Sequence, residues 1–288
     1  MAEPVCRGGQ LCILWPWTIN ERYYEFLIFM KFNFKFFDLF FGRHPYQISI
    51  RFHHSEKWYQ DDYLEFKRLL GENSDFQIKD DNPCMDDKYD NAGTWDGHYF
   101  YQDLYVAHKV YDNNPVKHVD IGSRIDGFVT HVASFREIEL LDIRKMESNI
   151  PNVTFKQLDL MDDHNIPENY CDSISSLHAL EHFGLGRYGD KLDPDGHLKG
   201  FKNITKMLRS GGLFYFSVPL GPQRIEFNAH RVFCLSYLRD WVSVDYDIVS
   251  FAYIDNGVLH QNVSLTDDLI KNNCGCKFGC AIFVLKKK

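Results

Sequence analysis

The stretch HVDIGSRIDGF, residues 118–128, decides the fold that we predict for this chain. An apolar run reaches an acid at Asp120 and then a turn that contains Gly122 and Ser123, before a further apolar segment begins. A strand that turns through glycine into a helix opens a doubly wound α/β sheet, and ligands bind at that turn. The G-x-G-x-x-G spacing of a pyrophosphate loop is missing, because only Gly122 and Gly127 are present. The stretch therefore predicts a nucleoside-binding turn without a pyrophosphate cradle.

The chain from His98 onward alternates apolar runs with amphipathic segments. This alternation indicates a mainly parallel sheet with helices on both faces, so we expect a doubly wound α/β domain over residues 98–288. Residues 1–97 have a different pattern and are expected to form a helical and irregular N-terminal extension. The predicted strands are 116–122, 137–143, 153–160, 171–180, 212–221, 246–254 and 279–287, and the predicted helices are 98–112, 128–134, 196–208 and 236–242.

Composition excludes some classes of function. The 288 residues have a formal net charge of −8 and a pI near 5.9, so the chain lacks the clustered cations that bind nucleic acid. Eight cysteines in a chain of this length are not the dense framework of a small secreted domain. The first residues also lack the segments of a signal peptide. We therefore expect reduced cysteines and a cytoplasmic location.

The N-terminal region contains two candidate helices. In EFLIFMKFNFKFFDLFF, residues 25–41, three charged residues form a narrow polar stripe beside a wide aromatic face. We expect this helix to pack on protein, and contact with a membrane surface is an open alternative. A second helix is predicted between Ser55, whose hydroxyl can cap its start, and Gly71, which can end it.

Three acids stand at the ends of the first three predicted strands, namely Asp120, Asp142 and Asp159. A carboxylate that ends the second strand can accept hydrogen bonds from both hydroxyls of a ribose, so Asp142 is placed to bind one. Asp159 or its neighbour is placed to meet an adenine amino group. NAD and S-adenosylmethionine both fit this plan. S-adenosylmethionine fits better, because it has no phosphate that would need the missing glycines.

The chain resembles the class I S-adenosylmethionine-dependent methyltransferases over residues 98–288, through VDIGS, LLDIR, QLDLM, SSLHALEHF and LRSGGLFYFSVP in that order. More narrowly, it resembles the domain family of unknown function first catalogued from nematode proteins, through GHYFYQDLYVAHKV, HVDIGSRIDGF, LHALEHFGLGRYGDKLDPDGH and RIEFNAHRVF. The resemblance implies a seven-stranded, Rossmann-like sheet whose last strand, 279–287, is antiparallel. It also implies S-adenosylmethionine as the cofactor, with contacts at Asp120, Gly122, Asp142 and Asp159, and Ser123 lies in the same turn.

Candidate catalytic residues follow the fourth predicted strand, where an acceptor would face the cofactor. Methyl transfer is an in-line displacement, so the protein mainly aligns the acceptor and removes its proton. His178 and His182 are the candidate general bases, and Glu181 is the next candidate. The alternative is that both histidines bond only to backbone and hold the loop.

Polar side chains that could bind the acceptor follow the fourth and fifth predicted strands. Arginine pairs with carboxylate or phosphate, and asparagine and glutamate pair with hydroxyls, so a small-molecule sugar, a glycan or a nucleotide-linked sugar is favoured over a lipid. The alternative is a salt-bridged surface loop. The candidate substrate-binding residues are Arg187, Asp190, Arg224, Glu226, Asn228, His230 and Arg231.

No dedicated metal site is expected. His178 and His182 lie four apart, but the glutamate between them is not in the H-E-x-x-H position of a zinc enzyme. The DPDG segment, residues 193–196, lacks the acidic end ligands of a calcium loop.

Three hypotheses of function remain open. The first is S-adenosylmethionine-dependent methyl transfer to a polar acceptor, with a carbohydrate favoured. The second is a non-catalytic, methyltransferase-like binding or scaffold protein, because Arg124 and Asp126 put side chains into the glycine loop. The third is an NAD-linked sugar enzyme, and the missing pyrophosphate glycines argue against it.

Overall fold

The computed structural model describes residues 45–70, 97–147 and 149–288, with Phe76, Ile78, Lys79, Cys84 and Lys88 as single residues between the first two ranges. The chain divides into two compact units, Met1–Gly93 and Thr94–Lys288. In the first unit, helix α1 spans Pro45–Leu70.

Helix α1 begins earlier than the sequence predicts. Proline favours the first helical turn, because its missing N–H needs no partner there, and Pro45 takes that place. Ser55 therefore lies inside α1 and does not cap its start. The aromatic segment 25–41 lies outside the described residues, together with its expected packing on protein and the alternative of membrane contact. No described helix has both the length and the apolarity needed to cross a membrane.

The second unit is built around one large sheet. Its helices are α2 (Gly97–Asn113), α3 (Thr130–Ala133), α4 (Gly196–Met207), α5 (Leu235–Val242) and α6 (Asp267–Lys271). Its strands are β1 (His118–Ile121), β2 (Ile138–Asp142), β3 (Val153–Gln157), β4 (Cys171–Leu177), β5 (Leu208–Leu220), β6 (Arg224–Glu226), β7 (His230–Val232), β8 (Tyr246–Asp255), β9 (Val258–His260) and β10 (Gly279–Lys287).

The sheet has the topology of a doubly wound fold. Within the described residues its order is β3-β2-β1-β4-β5-β10-β8-β9, and β6 pairs with β7 in a separate hairpin. Strands β1 to β5 are parallel, and β10 is antiparallel to both of its neighbours. The strand order reverses between β1 and β4, and ligands of such sheets bind at this reversal. The predicted α/β fold, its seven strands and its antiparallel last strand are confirmed, and β9 adds a short edge strand.

Apolar side chains pack on both faces of the sheet. All four residues of β1 are buried, as expected for a central parallel strand. On one face, Val106 and Val110 of α2 pack with Phe128. On the other face, Phe201 of α4 packs with Leu238 of α5. Truncating a buried phenylalanine such as Phe201 to alanine costs about 3–5 kcal/mol of unfolding free energy, so the helices hold the strand ends rigidly.

Among the described cysteines, all are free thiols and none is in a disulfide. Cys171, Cys276 and Cys280 are buried, while Cys84 is exposed. Burial raises the pKa of Cys171 to about 12, so this thiol is a neutral part of the core.

Candidate active site

A cleft opens at the carboxyl ends of β1 to β4, where the strand order reverses. It holds about 570 Å³ of empty space, part of which is open to solvent. Its wall is mainly apolar with a few polar groups. The lining residues are Ile121, Gly122, Leu141, Asp142, Ile143, Arg144, Leu158, Asp159, Leu160, Met161, His178, Ala179, His182, Phe183, Tyr188 and Asp190.

Gly122 forms the turn after β1 and reaches the cleft. Its φ is 67°, a conformation that favours glycine. Its amide donates a hydrogen bond to the Leu141 carbonyl at 2.9 Å, which ties the turn to β2. A Cβ at this position would lie 3.3 Å from the Cβ of Ala179. Glycine is therefore required both by the backbone angle and by the close approach of the loop after β4.

Asp120 and Ser123 lie beneath this turn and do not line the cleft. The Asp120 carboxylate is fully buried and accepts hydrogen bonds from the Ser123 amide at 3.0 Å and the Ser123 hydroxyl at 2.8 Å. The hydroxyl of Ser175 on β4 also donates to it. These two predicted cofactor contacts thus face the loop itself, where they hold the turn in shape.

Asp103 of α2 is a second buried carboxylate under the loop, and the sequence pattern did not single it out. A Cβ at Gly127 would collide with Oδ2 of Asp103, so the glycine leaves room for this carboxylate. Burial raises the pKa of Asp103. Burial, reinforced by the charge of Asp103, raises the pKa of Asp120 to about 6. Two buried carboxylates therefore lie beneath the loop. At both Gly122 and Gly127, a side chain would be too close to a neighbouring residue.

Arg124 and Asp126 face solvent. Their side chains are 61% and 71% exposed and form an ion pair with 2.8 Å between Nη2 and Oδ2. Neither residue lines the cleft. The departures from the glycine pattern that motivated the non-catalytic hypothesis therefore leave the cleft open.

Asp142 and Asp159 both line the cleft. Asp142 ends β2, as predicted. Asp159 lies two residues beyond Gln157, the last residue of β3, and its Oδ1 accepts a hydrogen bond from the Met161 amide at 2.8 Å. The structure thus brings together Gly122, Asp142 and Asp159 from the predicted cofactor residues.

His178 and Glu181 form a buried charged pair beside the cleft. Nδ1 of His178 lies 2.8 Å from Oε1 of Glu181, and their side chains are 6% and 1% exposed. Burial lowers the pKa of His178, but its contacts with Cys280 and Glu181 outweigh burial and raise that pKa well above its usual value. Burial raises the pKa of Glu181, but the neighbouring His178 outweighs it and lowers that pKa. Both shifts favour an imidazolium on His178 and a carboxylate on Glu181.

His182 has the geometry of a base. Its Nδ1 lies 2.7 Å from the Ala229 carbonyl, which can only accept, so Nδ1 carries the hydrogen. The lone pair therefore lies on Nε2, 3.8 Å from Oε1 of Glu181. Burial lowers the pKa of His182, so its ring is neutral near pH 7. His182 lines the cleft and can accept a proton there.

Asp190 and Arg187 shape the loop that follows these catalytic candidates. The Asp190 carboxylate accepts hydrogen bonds from the amides of Gly184, Gly186 and Tyr188 at 2.7, 3.2 and 3.2 Å. Arg187 donates to the Ala229 carbonyl at 2.9 Å, the same acceptor that orients His182. Of the predicted substrate residues, Asp190 lines the cleft, although its oxygens are used to fold the loop.

The β6–β7 hairpin contains five of the predicted substrate residues, and none of them lines the cleft. Arg224 donates to Oε1 of Glu226 at 2.8 Å, and Oε2 of Glu226 lies 3.3 Å from Nε2 of His230. Asn228 is exposed at the turn. Arg224 and Glu226 therefore form a salt bridge in a surface hairpin, which is the alternative to substrate binding given above.

Arg231, also predicted to bind substrate, is a structural residue. It is 4% exposed and donates to the carbonyls of Glu181, Phe183 and Pro194 at 3.3, 2.6 and 3.0 Å. The guanidinium thus bonds only to backbone carbonyls. These bonds hold the turn in which Glu181 contacts His178. A substrate cannot reach this guanidinium.

Within the part of the chain that the structure describes, one group of possible metal ligands comes together: Asp162, Asp163 and His164, on the exposed loop after β3. The two histidines of the cleft do not belong to it. Exposed acidic groups of this kind are common without a metal.

Three solved structures illustrate what the fold is similar to. The 1,6-didemethyltoxoflavin-N1-methyltransferase of Burkholderia thailandensis, with bound 1,6-didemethyltoxoflavin and S-adenosylhomocysteine, is 14% identical, over 66% of this chain and 79% of that chain, with a TM-score of 0.47. The N-methyltransferase NodS of Bradyrhizobium japonicum, in complex with S-adenosylhomocysteine, is 12% identical, over 65% and 85%, with a TM-score of 0.39. The [4+2]-cyclase SpnF is 13% identical, over 64% and 81%, with a TM-score of 0.45.

At such identities the likeness is one of fold. A comparison with curated proteins finds no match. The family described as "Caenorhabditis protein of unknown function, DUF268" matches residues 129–287. This match spans more than half of the sequence, and the chain therefore belongs to that family.

Proposed function

We propose that the protein is an S-adenosylmethionine-dependent methyltransferase that acts on a polar acceptor. The observation that carries this proposal is the content of one cleft: Asp142 and Asp159 follow neighbouring strands, and the unprotonated Nε2 of His182 belongs to the same lining. A carboxylate placed to bind a ribose and a base within one cleft suit transfer of a group from a nucleoside to an acceptor.

The residues present fit this cofactor. Asp142 would accept hydrogen bonds from the ribose hydroxyls, Asp159 or its neighbour would meet the adenine, and the turn at Gly122 would lie under the amino-acid end. When bound, S-adenosylmethionine supplies a methyl group on a positively charged sulfur. The loop lacks the glycines that cradle a pyrophosphate, which supports this cofactor over NAD.

The chain's own residues would then align the acceptor and remove its proton. Nε2 of His182 takes the proton from the acceptor oxygen or nitrogen, while the Ala229 carbonyl holds the ring in the required tautomer. The Glu181 carboxylate, 3.8 Å from Nε2, stabilises the imidazolium that forms. His178 positions Glu181 through their 2.8 Å contact. Base catalysis of this kind typically contributes about a hundredfold or more.

The favoured acceptor is the hydroxyl of a sugar or a glycan. The β6–β7 hairpin supports this choice from outside the cleft, because Asn228 is exposed and its amide can both donate to and accept from hydroxyls. The hairpin also exposes Phe227, whose side chain is 76% exposed and can stack on a sugar ring.

A methyl-transfer assay tests the proposal. The purified chain is incubated with S-adenosylmethionine and separate pools of sugars, nucleotide-linked sugars, glycans and lipids, and release of S-adenosylhomocysteine is measured. We expect turnover with a carbohydrate pool and its loss in His182→Gln. Turnover with lipids alone would contradict the acceptor class. If the chain binds no cofactor and turns over no pool, the non-catalytic hypothesis replaces this one.

A further inference from the structure

Arg144 occupies the carboxylate to which the proposed function assigns the ribose. Its Nε donates to Oδ1 of Asp142 at 3.0 Å and its Nη2 donates to Oδ2 at 2.7 Å, so the guanidinium spans both oxygens. The Arg144 amide also donates to Oδ1 at 2.8 Å. Two vicinal hydroxyls would need the same pair of oxygens in the same side-by-side arrangement. Arg144 therefore holds Asp142 in the way a ribose would.

Arg144 also contacts the acceptor side of the cleft. Its guanidinium lies 4.4 Å from the ring centre of Tyr188, and the Tyr188 ring meets the His182 ring edge-on with centroids 5.4 Å apart. These four residues line one cleft. A continuous set of contacts thus joins the ribose carboxylate to the candidate base.

The two side chains of the Asp142–Arg144 ion pair differ in how exposed they are to solvent. The Asp142 side chain is 14% exposed, whereas that of Arg144 is 52% exposed, so Arg144 can leave without opening the core. A half-exposed ion pair is weak enough for a ligand to displace. The backbone bond from the Arg144 amide does not depend on the guanidinium, so Asp142 keeps its orientation when the side chain departs.

We propose that Arg144 is a latch on the cofactor site: it closes the ribose position in the free protein, and the ribose displaces it from Asp142 when the nucleoside binds. This inference rests on the proposed function, because it assumes a nucleoside ligand at Asp142. The released guanidinium stays beside Tyr188, so binding of the nucleoside delivers a free cation to the acceptor side of the cleft. Arg144 is thus a positioning residue that orders the two binding events, nucleoside first.

Calorimetric titration of the full chain with adenosine, and separately with S-adenosylhomocysteine, tests the latch. Arg144→Ala removes the competitor, so both ligands should bind about 1.5- to fivefold more tightly than to the wild type. Arg144→Lys, which cannot span both oxygens, should lie between the two. Arg239→Ala removes a guanidinium from an ion pair with Asp240 outside the cleft, and should bind as the wild type does.

The affinities of the wild type and of Arg144→Ala together show whether the latch exists. Binding to the wild type with equal or weaker binding to Arg144→Ala overturns the latch and leaves the proposed function standing. Binding to Arg144→Ala alone supports a latch that is nearly always closed. If no variant binds either ligand, the proposed function and the latch both fail. Arg144→Lys keeps the test decisive if Arg144→Ala does not fold.

Discussion

Replacing Asp142 by asparagine tests whether its charge binds the ribose, because the substitution removes the charge and nearly preserves the shape of the side chain. Asparagine has nearly the same size, but it is neutral and keeps one acceptor oxygen while an NH₂ replaces the other. In the free protein the change removes the two guanidinium contacts of Arg144, at 3.0 and 2.7 Å. In the bound protein it removes a charged partner from the ribose.

The two losses act in opposite directions on affinity. Losing a hydrogen bond to a charged group costs about 1.5–3 kcal/mol of binding free energy. Against this, Arg144 no longer competes, and a half-exposed ion pair is worth about 0–1 kcal/mol. The net loss is therefore about 0.5–3 kcal/mol, which weakens the binding of S-adenosylhomocysteine about two- to 160-fold.

The assay is calorimetric titration with S-adenosylhomocysteine, together with thermal melting of the ligand-free protein. Asp240→Asn is the matched control, because it also breaks an aspartate–arginine pair but outside the cleft. We expect the control to bind as the wild type does. An unchanged affinity in Asp142→Asn would refute the ribose assignment. Unfolding of the ligand-free variant would show that Asp142 is structural.

Three further predictions concern the base and the loop. His182→Gln should lower turnover on an identified acceptor about a hundredfold or more while the affinity for S-adenosylhomocysteine changes less than about twofold, and equal turnover would leave His182 a structural role. Because the pKa of Asp120 is raised to about 6 in the folded chain from an ordinary 3.8, the folded state binds more protons than the unfolded state between about pH 4 and 6. Stability should therefore fall as pH rises through that window, by about 3 kcal/mol from this one group; Asp120→Asn should flatten this slope in denaturant titrations, and parallel pH profiles would disprove the burial argument. Gly127→Ala should cost about 1–3 kcal/mol of unfolding free energy, because its Cβ meets the Asp103 carboxylate, and adding Asp103→Ala should recover part of that loss; no recovery would mean that another contact causes it.

The sheet could be predicted because buried parallel strands are continuous apolar runs, and the seven runs from residue 116 onward each form a strand. Strands β6, β7 and β9 were not predicted. Each has three residues, which is too short for a periodic pattern, and their pairing depends on the neighbouring chain. The start of α1 at Pro45 was missed because the polar Ser55 offered a more obvious cap.

The site was predictable to the extent that strand ends define it. Asp142 and Asp159 reach the cleft because they end or follow parallel strands. The same rule cannot tell which way a side chain points, and Asp120, one residue before the end of β1, points into the sheet-loop junction instead. Charged loop residues are usually solvated, so nothing in the sequence indicated that Arg231 would be buried against three carbonyls.

Other parts of the site depend on tertiary contacts that no local pattern records. Asp103 looks like one polar position on an amphipathic helix until Gly127 is placed against it. The contact between Arg144 and Tyr188 joins the turn after β2 to the loop after β4.

The proposed function requires that the cleft between Asp142 and His182 bind S-adenosylmethionine. Calorimetric titration of the wild-type chain with S-adenosylmethionine, S-adenosylhomocysteine and NAD under identical conditions measures this binding directly. We predict saturable binding of the first two at one site per chain, and no binding of NAD, because the turn at Gly122 has no pyrophosphate cradle. Binding of NAD, or binding of none of the three, would contradict it.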